Sequence, residues 1–398
     1  MSMCYNNLIV TTTTQCYIYN VQNWGTPQIF EIKDSVSLIV QSPKYFCLVD
    51  AANGIYIYNY EGKNISSVKA ANIKLDFLNR KKLTISQDIL ALIDPSNNKL
   101  IRFYEVQSGK PTNFTLEHSL DIAEINLNKS DSANERKIAF IDSNRDLFLS
   151  PTFKRDIIKL AAMTDSFLWN DRNDILAAVA DGRLLAWYYP NAIYVDKDLM
   201  ELAKVTKELH DIGQMCQMVT FSGSQITIRR KDGALINCAI SPYPSILFEF
   251  AEKNKWEKSI RLCRFVKEQT LWACLAAISL NTRELSTAEI ALAAIEAIDK
   301  VQFINKVKEL PSEPSRNAAL ALYFHKPAEA EQILIQAKLY YRAIKLNIKL
   351  FKWERAFDIA VQYKTHVDTV LAYRKKYLEK IGKEETNKKF AKAFQEKG

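Results

Sequence analysis

The sequence predicts a β + α multidomain chain, with antiparallel bladed sheets in front and stacked helical hairpins behind, from three observations. Turn-like clusters recur at residues 11–14, 50–54, 94–99, 142–145, 181–182 and 222–224, a spacing of about 40–48 residues that suits four-stranded propeller blades. Two Trp-Glu-basic boxes, opening at Trp256 and Trp353, stand 97 positions apart, close to three repeats of a roughly 34-residue helical hairpin. Glycine divides the chain in the same place: eight of the ten precede Ser245, leaving Gly382 and Gly398, so turns dominate the front and helices the back. Pro242 and Pro244 around Tyr243 stiffen the exit from the last strand. The expected domains are therefore 1–245, a partial WD40-type β-propeller of about five to six blades, and 246–398, a TPR-like α-solenoid with a basic C-terminal helix.

The front elements follow from alternation. Leu8-Ile9-Val10 and Cys16-Tyr17-Ile18-Tyr19 flank a threonine turn, and Phe46-Cys47-Leu48-Val49 and Ile55-Tyr56-Ile57-Tyr58 flank a turn ending at Gly54; each pair reads as a hairpin. The fullest blade echo runs from Leu90 to Asp94, through a polar turn to Leu100–Val106 and Ser108-Gly109-Lys110, with Tyr104-Glu105 in the Trp-Asp place. A second covers Leu168-Trp169-Asn170, Asn173 to Ala180, Asp181-Gly182 and Trp187. The first strand begins a few residues after Met1, so the ring is expected to be completed by further polypeptide or to keep an open, protected edge.

The rear elements follow the helical period. Apolar residues step by three or four from Trp256 through Ile260, Cys263 and Val266, and from Val367 through Val370, Leu371, Tyr377, Leu378 and Ile381. Ser286-Thr287-Ala288-Glu289 fits a capping box, and Pro311 with Pro314 interrupts the chain before the next helix. Alanines such as Ala276, Ala277, Ala318 and Ala321 allow close backbone approach. Trp256, Trp272 and Trp353 are expected in hairpin cores.

Charge falls on one side of the boundary. The front carries 26 basic and 26 acidic residues and the rear 28 and 19, so the formal +9 belongs to the helices. Within them the density peaks at Arg374, Lys375, Lys376, Lys380 and Lys383, the candidate protein-interaction residues. They form either a solvated helix face or a docking surface for an acidic partner such as an acidic helix or a tubulin tail. Motifs for reading nucleic acid are missing. The seven cysteines are scattered, mostly inside apolar runs, without a C-x-x-C pair, which makes buried reduced thiols the default and points to a reducing compartment. The opening residues resemble no signal peptide, and Leu271 to Leu280 is about half a bilayer span.

Several long strings then carry a resemblance: residues 6–19 (Asn-Asn-Leu-Ile-Val-Thr-Thr-Thr-Thr-Gln-Cys-Tyr-Ile-Tyr), 188–196, 261–277 and 363–374. They resemble the family of the eighty-kilodalton WD-repeat subunit of the intraflagellar transport B complex. The resemblance implies a peripheral B-complex subunit needed to build cilia, in trains that kinesin-2 carries along microtubules toward the ciliary tip. It implies partners among the other B subunits and a place in the cilium or flagellum, at axoneme and basal body, with a cytoplasmic pool. The family has two propellers before its helices and this chain is expected to lack the first. Self-association is plausible because a terminal repeat must shield its apolar flank.

Catalysis is not expected. His118, His210, His325 and His366 have no i,i+4 partner, Asp181-Gly182 and Asp232-Gly233 are hairpin turns, and no phosphate loop or G-x-S-x-G occurs. No catalytic, cofactor-binding or metal residue is assigned. The competing class is a vesicle-coat or membrane-tethering scaffold with the same propeller-then-solenoid plan, against which stand the residue strings and the lack of a membrane-inserting amphipathic segment.

Overall fold

The structure, a computed structural model, describes residues 1–398 apart from 34, 51–53, 69–74, 76–77, 131–132, 210–211, 214 and 398, and the side chains of 395–397. His210 and residues 51–53 of the second turn cluster lie outside the described residues. The chain divides into two compact units, one of Met1–Ile193 and Asp198–Cys274, the other of Tyr194–Lys197 and Leu275–Gly398. The last strand ends at Ala239 and a helix opens at Tyr243.

Among the described residues six antiparallel sheets make the blades. Blade one is Ser2–Cys4, Asn7–Thr11, Gln15–Asn20 and Asn23–Glu31. Blade two is Val36–Gln41, Tyr45–Asp50, Gly54–Asn59 and Asn64–Val68; blade three is Leu83–Ile85, Ile89–Asp94, Asn97–Glu105 and Pro111–Glu117. Blade four is Ile122–Leu127, Lys137–Asp142, Leu147–Pro151 and Ile158–Ala161; blade five is Thr164–Trp169, Leu176–Ala180, Arg183–Trp187 and Lys204–Glu208. Blade six has three strands, Gln217–Ser222, Gln225–Arg229 and Leu235–Ala239.

Period two decides which neighbour each side chain meets. In Ile89–Asp94, Leu90 and Leu92 pack against Cys47, Val49, Ile55 and Ile57 of blade two. The alternate residues Ala91 and Ile93 pack on Ile122, Ile125, Ile138 and Phe140 of blade four. The second strands of blades two to five are accordingly buried on both faces. Those of the terminal blades alternate: Ile9 is buried while Leu8 and Val10 are half-buried, and Ile226 and Ile228 are buried while Gln225 and Arg229 are exposed. Asp171, which accepts from Ser222 Oγ of blade six at 2.7 Å, stands close enough to Cys4 and Tyr5 of blade one for its charge to add to the rise that burial imposes on both.

Polar groups clasp the other blades together. Gln41 Nε2 donates to the Asn7 carbonyl at 3.3 Å, joining two to one, and Ser66 Oγ to the Val106 carbonyl at 2.5 Å, joining two to three. Arg136 Nε reaches Asp88 at 2.7 Å, joining four to three. Lys137 Nζ meets Asp174 at 2.6 Å and Asn191 Oδ1 at 2.8 Å, joining four to five, and Asn170 Nδ2 donates to the Gly223 carbonyl at 2.8 Å, joining five to six. Buried groups so paired avoid the desolvation cost of isolated ones.

Lys129 is a buried amine between blades three and four. Its Nζ donates to the Ile85 carbonyl at 2.6 Å. Burial, and then the neighbouring Arg136 charge, lowers it to about 7. Between that value and the ordinary lysine value the unfolded chain binds more protons, so this group's contribution rises with pH across the window and is most unfavourable below it. The stability difference between wild type and Lys129→Met should shift in favour of wild type by on the order of 3 kcal/mol from pH 7 to 9.5, read by urea unfolding. A difference independent of pH would contradict the assignment.

Gly109 shows why the blade ending needs glycine. Its φ is +67°, and a Cβ there would stand 2.4 Å from the Ser67 carbonyl oxygen on the outer strand of blade two. Gly109→Ala therefore adds a backbone clash to left-handed strain, with an expected loss above about 2 kcal/mol in thermal or urea unfolding.

The helices are α1 (Ala192–Val195), α2 (Lys197–Leu202), α3 (Tyr243–Glu252), α4 (Trp256–Val266), α5 (Gln269–Asn281), α6 (Leu285–Ala294) and α7 (Ile298–Lys308). They continue as α8 (Glu313–Tyr323), α9 (Pro327–Gln336), α10 (Tyr340–Lys349), α11 (Trp353–Gln362), α12 (Val367–Ile381) and α13 (Lys388–Lys397). Left-handed residues close the turns at His325, Lys338, Phe351 and Lys364, one every 13 residues. The next N–H in each case reaches back to a carbonyl of the last turn, as Leu339 to Leu334 at 2.8 Å and Lys352 to Asn347 at 2.9 Å, the Schellman closure. Two such helices take 26 residues, shorter than the repeat of about 34 expected from sequence. The tryptophan boxes open α4 and α11, seven helices apart, so they do not occupy equivalent places in successive hairpins. The capping box is also corrected: α6 begins at Leu285 with Glu284 as N-cap, because the chain enters it directly from the turn at Arg283. Glu289 pairs instead with Lys308. Pro314 stands in the first turn of α8, where its missing N–H costs nothing.

Candidate protein-interaction site

α12 buries Val370 and Leu371 in one cluster with Ile359 and Ala360 of α11, and Leu378 is buried as well. It ends at Gly382, left-handed at φ 65°, with the Lys383 N–H returning to the Leu378 carbonyl. Residues 383–387 turn the chain, the Asn387 side chain accepts the Lys389 N–H at 3.0 Å, and α13 then sets Phe390 against Phe357 with no exposure.

The five candidate residues separate into one and four. Arg374 points inward: Nε lies 2.7 Å from Glu385 Oε2 and an Nη 3.0 Å from Oε1. Its guanidinium stands 5.4 Å from the Trp353 ring, 5.9 Å from Tyr377 and 5.5 Å from Phe390. The Arg374 hydrogen bonds hold Glu385 below the usual carboxylate range and raise Arg374 in turn. Two-point pairing over aromatic faces is what a rigid guanidinium does well, and it ties α12 to α11 and α13. Lys375, Lys376, Lys380 and Lys383 are exposed. Lys376 and Lys380 share a face at i,i+4 spacing, interrupted by exposed Glu379 and Glu384.

An aromatic neighbour was not legible beforehand. Phe351 occupies a left-handed turn position and is 62% exposed, with its ring 5.4 Å from Tyr377 and 6.3 Å from Trp353. Trp256, Trp272 and Trp353 are each half-buried. His118 stands 3.4 Å from Asp142 among Phe140 and Phe148, while His325 and His366 occupy left-handed turn positions. The thiols of Cys16, Cys47, Cys216 and Cys263 are pushed up to about 12 by burial. Among the described residues no group of His, Cys, Asp and Glu gathers as a metal set, and no helix is long and apolar enough to cross a membrane.

Bladed sheets, short paired helices and an exposed basic ridge define a propeller-plus-helical-repeat protein. Residues 1–243 match the family model described as the IFT80 second beta-propeller, and residues 271–397 match the IFT80/172/WDR35/WDR19 TPR domain. The chain is 46% identical over 396 residues to the intraflagellar transport protein 80 homologs of Rattus norvegicus and Mus musculus, covering 98% of itself and 51% of each. It is 30% identical over 89 residues to WD repeat-containing protein 35 of Homo sapiens, covering 22% of itself and 8% of that protein. The chain belongs to the IFT80 family and spans about half the length of the curated relatives it matches.

Proposed function

We propose that this chain is a non-catalytic scaffold subunit of the intraflagellar transport B complex, working by contacts within anterograde trains that build cilia. The observation that carries the reading is identity at 46% across 98% of the chain with intraflagellar transport protein 80 homologs, through blades and helices alike. Its direct partners are other B-complex subunits, through which it is linked to kinesin-2 and microtubules, and its place is the cilium with a cytoplasmic pool. Short helical repeats and blade rims offer surfaces where modest contacts add up along a polymer by avidity.

Within that reading the ridge of Lys375, Lys376, Lys380 and Lys383 docks an acidic partner surface. Exchanging all four for glutamate should weaken co-purification of B subunits from ciliated cells by at least about tenfold at low salt, with the wild-type signal itself falling as salt rises. Unchanged recovery at low salt would remove the ridge from the function.

A further inference from the structure

Among the described residues blade six has no outer strand, where each of the other five blades has one. Its last strand, Leu235–Ala239, pairs with Gln225–Arg229 in the register Arg229↔Leu235, Thr227↔Asn237 and Gln225↔Ala239. The turn before it has the Arg230 N–H on the Ala234 carbonyl at 2.9 Å, and the strand's far end has the Ile240 N–H on the Ser224 carbonyl at 2.9 Å. Hydrogen-bonded and non-bonded pairs alternate in an antiparallel ladder. Residues 234, 236, 238 and 240 therefore spend their backbone groups on the neighbouring strand, and the N–H and C=O of Leu235, Asn237 and Ala239 face outward. The side chains of these three are exposed, Leu235 at 62%.

A cleft of about 290 Å³ lies beside this edge. One wall is the outer half of blade five, where Leu184, Ala186 and Val205 present apolar atoms; Ala239 and Ser241 line it from the edge, and Glu268 lines it too. Lys207, exposed, lines the same cleft and lies near enough to Cys238 for its charge to oppose the rise that burial imposes on that thiol. Arg229 and Lys231, also exposed, stand around the turn that begins the strand. A strand laid here meets an apolar wall and Lys207 in the cleft, where Glu268 is the one acidic lining residue, while in the turn Asp232 is paired with Arg230 at 2.9 Å and leaves Arg229 and Lys231 as the cations beside the edge.

We propose that Leu235–Ala239 is an acceptor edge, which takes an extended segment of another polypeptide as the fourth strand of blade six. The segment carries small or β-branched residues toward Leu184 and Val205 and an acidic residue toward Lys207. Main-chain bonds supply the affinity and the alternating side chains the selection. The inference rests on the blade, not on the assembly proposed above, and stands or falls separately.

The test is a titration of the full chain with a fluorescein-labelled peptide, Glu-Val-Thr-Val-Thr-Val-Asp, by anisotropy. Asn237→Pro deletes an outward N–H and leaves the inward ladder intact, which an edge strand tolerates; Asn237→Thr keeps that N–H. Saturable binding that falls at least tenfold in Asn237→Pro and in Lys207→Glu but survives in Asn237→Thr is expected. Peptide should slow amide exchange at 235, 237 and 239 and leave 236 and 238 unchanged. No saturable binding, or equal binding by Asn237→Pro with its thermal melt preserved, overturns the proposal. Concentration-dependent self-association that Asn237→Pro abolishes also overturns it, assigning the edge to a second copy.

Discussion

Asp174→Ala should lower the stability of the bladed unit by about 3–5 kcal/mol, the expected loss when one partner of a buried ion pair is removed. Asp174 is 7% exposed and Lys137 1%. One carboxylate oxygen takes the Lys137 ammonium at 2.6 Å, and the other takes the Asn128 amide at 3.0 Å. Alanine leaves that ammonium with only neutral oxygens, the Glu135 carbonyl at 3.1 Å and Asn191 Oδ1 at 2.8 Å. Exchanging both partners, Lys137→Met with Asp174→Leu, removes the charge together with its counter-charge and should restore most of the loss. Trp169 lies 6.0 Å from Lys137 Nζ, so its fluorescence reports the local event during urea unfolding. If the single variant unfolds at the wild-type midpoint, the clasp between blades four and five carries no stability.

Arg374→Ala should cost the helical unit about 2–3 kcal/mol, because Glu385 is left 10% exposed and without its two-point partner, and three aromatic faces lose their cation. Arg374→Lys should recover little, since an ammonium cannot make the paired geometry. Backbone amide exchange along α13 should accelerate, as Arg374 and Phe390 hold that helix to α11 and α12. The quadruple lysine-to-glutamate exchange should leave the melt within about 0.5 kcal/mol of wild type. Equal destabilisation by the two sets would mean that Arg374 has no special place among the basic residues. Glu385 also gives the clasp a pH dependence: its depressed carboxyl contributes stability above the ordinary carboxylate range, which is lost as pH falls through the depressed value.

Much of the front was legible because sheets buried on both sides leave a strong pattern. Phe46-Cys47-Leu48-Val49 and Leu90-Ala91-Leu92-Ile93 are continuous apolar runs between Asp, Asn and Gly turns, and each is the second strand of a blade. Short strands such as Ser2–Cys4 were not readable, since three residues carry no period. The helical repeat was misjudged in length because its turns use His325, Lys338, Phe351 and Lys364 in a conformation that glycine usually marks. Spacing between two tryptophans gave a period that the turn positions do not follow. At the candidate site, the basic run was visible, but Arg374 and its lysine neighbours share one composition and differ only in where the helix turns them. Phe351 carried no signal at all, because an exposed aromatic at a turn has no periodicity.

The central claim is that this chain acts by being held between neighbouring subunits of the B complex. Crosslinking mass spectrometry on intact trains from ciliated cells expressing it tests this most directly. The account predicts crosslinks from Lys375, Lys376, Lys380 and Lys383 to acidic stretches of B-complex subunits. Trains that contain the chain but give no crosslink from either unit to any B subunit, or a chain recovered only with vesicle coats, would contradict it.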